Sequence, residues 1–193
     1  MAKRVFFSFH YKDVSEFRAN VVRNHWRMKP DREICGYYDA SIWEAAQKQG
    51  DVALKRLING GLDQTTNTCV LIGSQTYERP WVRYELLKSF KKGNHIFGVH
   101  INSIKCKQKK TKIKGANPLN YVGVSFSDSG KTATLWEYKN GKWVEYEKID
   151  GSASYRVEVA KKYRGNGYKL SDYYNTYDWV DNDGYNKFSN WVG

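Results

Sequence analysis

The fold is decided by the run Thr68-Cys-Val-Leu-Ile72 together with the stretch Gly73-Ser-Gln-Thr-Tyr-Glu-Arg-Pro80-Trp-Val-Arg-Tyr-Glu85. The first five residues are apolar or β-branched without alternation, the pattern of a central strand buried on both faces. Gly73-Ser74 ends that strand. Pro80 then suits the first position of a helix, where its missing N–H costs no hydrogen bond. Val82, Leu86 and Phe90 fall on one helical face, and Gly93 supplies the C-terminal stop.

Working outward, the same alternation recurs. Ile96 to Ile101 reads as a further strand, and Val5-Phe-Phe-Ser-Phe9 as the first strand of the chain. Asp13 with Glu16 three residues on has the form of a capping box, with Val14, Phe17 and Val21 on one face of the helix it would open. Ile34 to Asp39 reads as a second short strand running into a loop. Leu54, Leu57, Ile58 and Leu62 mark a helix interrupted near its end by Gly60-Gly61. Strands alternating with helices predict right-handed crossovers and a mainly parallel sheet with helices on both sides. Functional sites in such α/β folds lie at the carboxyl ends of the strands.

Beyond residue 115 the pattern changes. Thr132 to Lys139 and Lys142 to Glu147 flank Asn140-Gly141, a strong hairpin signal that places Tyr138 opposite Trp143. Sixteen of the 30 aromatic residues fall after residue 115. The expected organisation is an α/β core over residues 1–115 and an aromatic-rich extension over 116–193, packed together as one compact domain. Asp178-Trp-Val-Asp-Asn-Asp-Gly184 superficially resembles a calcium loop. An EF-hand needs an acid where Trp179 stands and a Glu where Asn190 stands, so that reading fails.

Composition narrows the class. The 193 residues carry a net charge of +12, and six Lys without an acid lie within Lys105 to Lys114. Half the excess charge therefore sits in one segment, read as a solvated loop outside the site. No aromatic interleaves these lysines, which argues against a single-strand nucleic-acid groove. No apolar run approaches the roughly 20 residues of a membrane span. The first residues read as a strand rather than an export signal. Cys35, Cys69 and Cys106 form no C-x-x-C and support neither a disulfide framework nor a zinc site, so a reduced cytoplasm is expected.

The motifs of P-loop ATPases, dinucleotide-binding dehydrogenases, zinc proteases and esterases are absent. The residues left at the strand ends are polar: Ser8 and His10 after the first strand, Asp39 after the second, Ser74 after the third. Glu85 lies about one and a half turns into the helix opened by Pro80, four residues after Trp81.

Those residues carry a resemblance. Arg4-Val-Phe-Phe-Ser-Phe9 resembles the first-strand box of Toll/interleukin-1 receptor (TIR) domains. Ser74 to Glu85 resembles the box bearing their catalytic Glu, with Trp-to-Glu spacing kept and Val82 in place of a frequent Cys. Tyr37-Tyr-Asp-Ala-Ser-Ile-Trp43 lies where the BB loop of that family comes after the second strand. Ala2 to Tyr11, Ala53 to Leu62, Cys69 to Tyr77 and Asp183 to Ser189 further resemble the TIR-like subunits of bacterial Thoeris antiphage systems.

That resemblance implies a flavodoxin-like core and an enzyme that consumes NAD+ on phage infection. Such an enzyme makes a cyclic ADP-ribose isomer that activates a separate effector. NAD+ would be substrate, with no cofactor and no metal. Glu85 would stabilise the oxocarbenium-like ribose left when nicotinamide departs. Phe9 and Trp81 would wall the pocket, with Ser8 and Ser74 lining it. His10 would contact a phosphate or an adenine edge, and Asp39 and Trp43 would line the pocket or mediate self-association. A phage-derived trigger is implied and unidentified. Two other readings stay open on the residues alone: a non-catalytic TIR-like interaction module, and a basic α/β protein binding nucleotides or nucleic acid through Lys105 to Lys114.

Overall fold

A computed structural model describes residues 3–30, 32–35 and 40–192. The central run forms β3 (Asn67–Ile72), buried throughout. It is the middle strand of a five-stranded parallel sheet with β1 (Lys3–Phe9), β2 (Arg32–Cys35), β4 (His95–His100) and β10 (Thr176–Asp178), in the order β2-β1-β3-β4-β10. This is the flavodoxin-like order, and its direction of winding reverses between β1 and β3, where such sheets open a crevice. Alternate β3 residues explain the unbroken apolar run. Val70 and Ile72 join one core with Phe6 and Ile96, whereas Cys69 and Leu71 join another with Val5, Phe7, Phe97 and Val99.

One face of the sheet is covered by α2 (Arg18–Arg27) and α6 (Gly184–Trp191), through Ala19, Val22 and Trp26 from the first and Phe188 and Trp191 from the second. The other is covered by α4 (Asp51–Asp63) and α5 (Pro80–Lys92). Pro80 opens α5, and Gly93, at φ 86°, closes it with its N–H on the Phe90 and Ser89 carbonyls. A left-handed residue is what this cap requires and glycine adopts without a Cβ penalty.

Three local expectations are corrected. The helix expected from Asp13 is split: α1 (Lys12–Ser15) stops, Phe17 turns left-handed at φ 66°, and α2 starts afresh. Phe17 and Val21 are exposed, so the packed stripe is not the one read from sequence. The cause is tertiary. Buried Arg18 donates to the Ile104 and Lys110 carbonyls at 2.9 Å each, and Asp13 is drawn inward instead of capping. Secondly, Trp43, expected in the loop after the second strand, stands on a helix, α3 (Ala40–Lys48), while Ile34 and Cys35 of the expected strand lie in β2. Asp39 lies outside the described residues. Thirdly, α4 runs through Gly60-Gly61 without interruption.

The aromatic segment folds mainly as a second, antiparallel sheet of β5 (Val122–Phe126), β6 (Thr132–Lys139), β7 (Lys142–Glu145), β8 (Ser154–Arg156) and β9 (Gly167–Lys169). Asn140 and Gly141 have φ of 51° and 81°, the two left-handed residues of a type I′ hairpin turn. Tyr138 pairs with Trp143, their rings 5.5 Å apart and edge to face. Val122, Val124, Ala133 and Leu135 face inward onto α5. The chain then returns to lay β10 beside β4, so the second sheet is inserted between the fourth and fifth strands of the first.

The placement of α5 is the consequence that matters. Held between two sheets, it buries Val82, Tyr84, Glu85, Leu86, Leu87 and Ser89, nearly a full circumference. Arg83 ties it to the second sheet through Glu137 at 3.1 Å and the Tyr138 carbonyl at 2.9 Å, and Lys91 meets Asp150 of the β7–β8 connection at 2.7 Å.

Candidate active site

Glu85 is 6% exposed, and fully buried Ser8 of β1 donates its hydroxyl to Glu85 Oε2 at 2.5 Å. Burial pushes the Glu85 carboxyl up to about 8, and the Ser8 hydrogen bond pulls in the opposite direction without cancelling it. The carboxyl is therefore held toward its protonated form near neutrality. A cationic ligand would favour its ionised form.

The carboxyl opens into a cavity of about 260 Å³ at the carboxyl end of β1. Phe9, His10, Trp43 and Trp81 line it, so the structure brings together five of the residues selected from sequence, with Ser8 beneath. Trp81 stands edge to face on Tyr84, with ring centres 5.7 Å apart. The His10 imidazole is held below its ordinary value by burial, then by the positive charge of Arg79, Lys12 and Lys112. Ser74 is not among the residues lining this cavity. Its hydroxyl donates to the Ile113 carbonyl at 2.8 Å and accepts from Asn102 at 3.1 Å, and it faces an adjoining polar cavity instead.

Sequence reasoning missed the apolar Phe7, Pro80 and Val82 of the lining and three residues with polar groups, Tyr11, Gln47 and Arg79. Gln47 lies one helical turn after Trp43, a spacing visible only once α3 is known to exist. Arg79 directly precedes Pro80, and nothing in its spacing marks it. The Lys-rich segment, read as remote, also approaches the site: Lys112 pairs with Glu16 and lines the adjoining cavity with His10. Among the described residues no group of three or more His, Cys, Asp or Glu side chains is placed to hold a metal ion, and no helix is long and apolar enough to cross a membrane.

The arrangement suits a cationic, flat-ringed ligand. The buried Glu85 carboxyl, the aromatic side chains of Phe9, Trp43 and Trp81, and Arg79, which offers a positive charge to an anionic substituent, share one lining. A flavodoxin-like sheet carrying this acid on the helix after its third strand agrees with the TIR-type resemblance of the sequence.

The profile of the family described as "Thoeris protein ThsB, TIR-like domain" matches residues 6–105, the span of the first four parallel strands. A Bacillus cereus (strain MSX-D12) protein named "Putative cyclic ADP-D-ribose synthase ThsB1" is 57% identical over 194 residues, with both chains covered completely. The chain belongs to the Thoeris ThsB TIR-like family.

Proposed function

We propose that this protein is an antiphage-defence enzyme that cleaves the nicotinamide–ribose bond of NAD+ and closes the product into a cyclic ADP-ribose isomer. The supporting observation is the buried Glu85 carboxyl, hydrogen-bonded by Ser8 and opening into an aromatic-walled cavity. Nicotinamide is a good leaving group because it departs from a pyridinium. The barrier lies in the positive charge that develops on the ribose, and a fixed carboxylate in a dry pocket opposes that charge. Glu85 serves as that carboxylate and as acceptor for the ribose hydroxyls. Ser8 orients it, Phe9, Trp43 and Trp81 flank the ring, and Arg79 and His10 face the pyrophosphate.

NAD+ is the substrate, and the reaction needs no further cofactor. The cyclic product acts as a diffusible signal to a separate effector in the cytoplasm, and a phage-derived trigger starts the reaction. Tyr37 to Trp43 is the segment whose Asp39 and Trp43 line the substrate pocket or join copies of the core. Residues 1–115 and 116–193 act as one folded unit rather than two separable modules.

The test is incubation of the protein with NAD+, with and without lysate of phage-infected cells, monitoring nicotinamide and cyclic product by mass spectrometry. Absence of both products with the lysate as well as without it refutes the proposal. Ser8→Ala adds a pH signature. Without its hydroxyl donor the Glu85 pKa rises further, so the rise of kcat/KM with pH moves to higher pH than in wild type. An unshifted profile would exclude Glu85 as the group whose ionisation sets the rate.

A further inference from the structure

A second cavity, of about 290 Å³, adjoins the Glu85 cavity and shares one wall with it, His10. Its other lining residues include Lys12, Asp13, Glu16, Ser74 and Lys112. Cleavage of the nicotinamide–ribose bond uses none of these, whereas ring closure makes a further demand. An internal nucleophile from the adenosine half of the dinucleotide must reach the anomeric carbon before water does, and where that nucleophile is a hydroxyl it must also lose its proton there.

Asp13 has the placement for that task. Its carboxyl is 4% exposed and packs on the bare backbone of Gly73 at the end of β3; a Cβ at that position would come within 2.2 Å of Oδ2. Thr76 donates to Oδ2 at a long 3.4 Å and is itself bonded by the Gly73 N–H at 2.8 Å. The carboxyl is thus positioned by backbone at the crevice between β1 and β3. Its small exposed part belongs to the cavity beside His10. Lys12 and Lys112 give the same cavity positive charge for an anionic neighbour.

We propose that this second cavity takes the adenosine-ribose end of the dinucleotide and that Asp13 receives the hydroxyl proton when the ring closes. The inference rests on the proposed NAD+ reaction. In the step, the ribose oxygen forms a bond to the anomeric carbon as the carbon–nitrogen bond to nicotinamide breaks, with its electron pair leaving on nicotinamide. The hydroxyl proton passes to the Asp13 carboxylate and then to water. Burial raises this carboxyl to about 6, close enough to neutrality for a base that must be ionised before the step and accept a proton during it. The charged groups facing it are Lys112 from the Lys-rich loop, Glu16 and Arg18 from the α1–α2 turn, and His10 from the end of β1.

The measurement is the ratio of cyclic to linear ADP-ribose formed by wild type, Asp13→Asn and Asp13→Glu, with lysate of infected cells present. Asn keeps the shape of the buried group and removes the proton acceptor. The ratio is expected to fall at least tenfold in Asp13→Asn, whatever happens to the total rate, and to recover in part in Asp13→Glu. In wild type it should fall as pH drops through about 6, where Asp13 becomes protonated, and that step should be missing from Asp13→Asn. A mutant that loses both products in equal proportion gives Asp13 only a structural role and overturns the inference, as does an acid step that persists in Asp13→Asn, which would assign it to His10. If wild type itself releases no nicotinamide, the NAD+ reading falls and this one with it.

Discussion

Glu85→Gln is expected to lower nicotinamide release by about 10³-fold, an increase in barrier of roughly 4 kcal/mol, while making the protein harder to melt at alkaline pH. Both effects have one origin, a carboxyl that burial holds at about 8 when its ordinary value is 4.5. Below pH 4.5 the group is protonated whether the chain is folded or not, and it affects stability little. Between 4.5 and 8 the unfolded chain loses the proton that the folded chain keeps, so stability falls as pH rises. Above 8 the full cost is present. That cost is on the order of 2–4 kcal/mol after allowance for relaxation around a buried group. Gln cannot ionise and can still accept from Ser8. At pH 9 the variant should therefore melt roughly 5–10 °C higher than wild type, with the difference vanishing near pH 4. Thermal unfolding at the two pH values, beside a nicotinamide assay, measures both. A variant as active as wild type would end the catalytic assignment. One that is inactive and equally stable at both pH values would show that Glu85 is not the strained acid described.

The parts of the structure that were legible in the sequence are those whose cause is local. β3 could be read because burial on both faces removes alternation, α5 because Pro80 and Gly93 mark its ends, and the β6–β7 hairpin because Asn140-Gly141 supplies two left-handed residues. The features that were missed have distant causes. The break at Phe17 depends on Arg18 reaching carbonyls 86 and 92 residues away. β10 is three residues, Thr-Tyr-Asp, with no strand-like apolar run; it is a strand because β4 offers an open edge, and because Gly98 leaves room for Thr176, whose hydroxyl a Cβ there would approach to 3.0 Å.

The same division holds at the site. Ser8 and Glu85 sit at positions that strand ends and helix phase pick out. Asp13 reads as a cap in sequence because its spacing to Glu16 is right, and only the bare Gly73 beneath it shows that it is buried instead. Arg79 and Gln47 enter the site through the path of the segments that carry them. The Lys-rich segment explains the charge differently than composition suggests. Part of it is committed internally, since Lys112 meets Glu16 and Lys114 approaches Asp178 at 4.0 Å.

A fragment ending at residue 115 is expected not to fold, although it contains every residue lining the Glu85 cavity and all of the family match. Two surfaces would be stripped. On one face of the parallel sheet, Phe7, Trp26 and Phe97 would lose Trp179, Phe188 and Trp191, with Phe188 alone contacting all three rings at 5.4–6.1 Å. On the other, Tyr84 and Leu87 of α5 would lose Val122, Val124 and Leu135. At about 1.5–3 kcal/mol for each large apolar side chain returned to water, the loss exceeds the roughly 5–15 kcal/mol by which a domain is stable. β4 would also become a bare edge, a template for aggregation. Glu85 would lose its dry surroundings at the same time, because α5 is buried all round only while the second sheet covers it. The fragment should therefore be recovered as aggregate, or as a chain without a cooperative melting transition in circular dichroism, and it should release no nicotinamide. A soluble, cooperatively melting and active fragment would mean that the inserted sheet and the fifth strand are accessories to a core that stands without them.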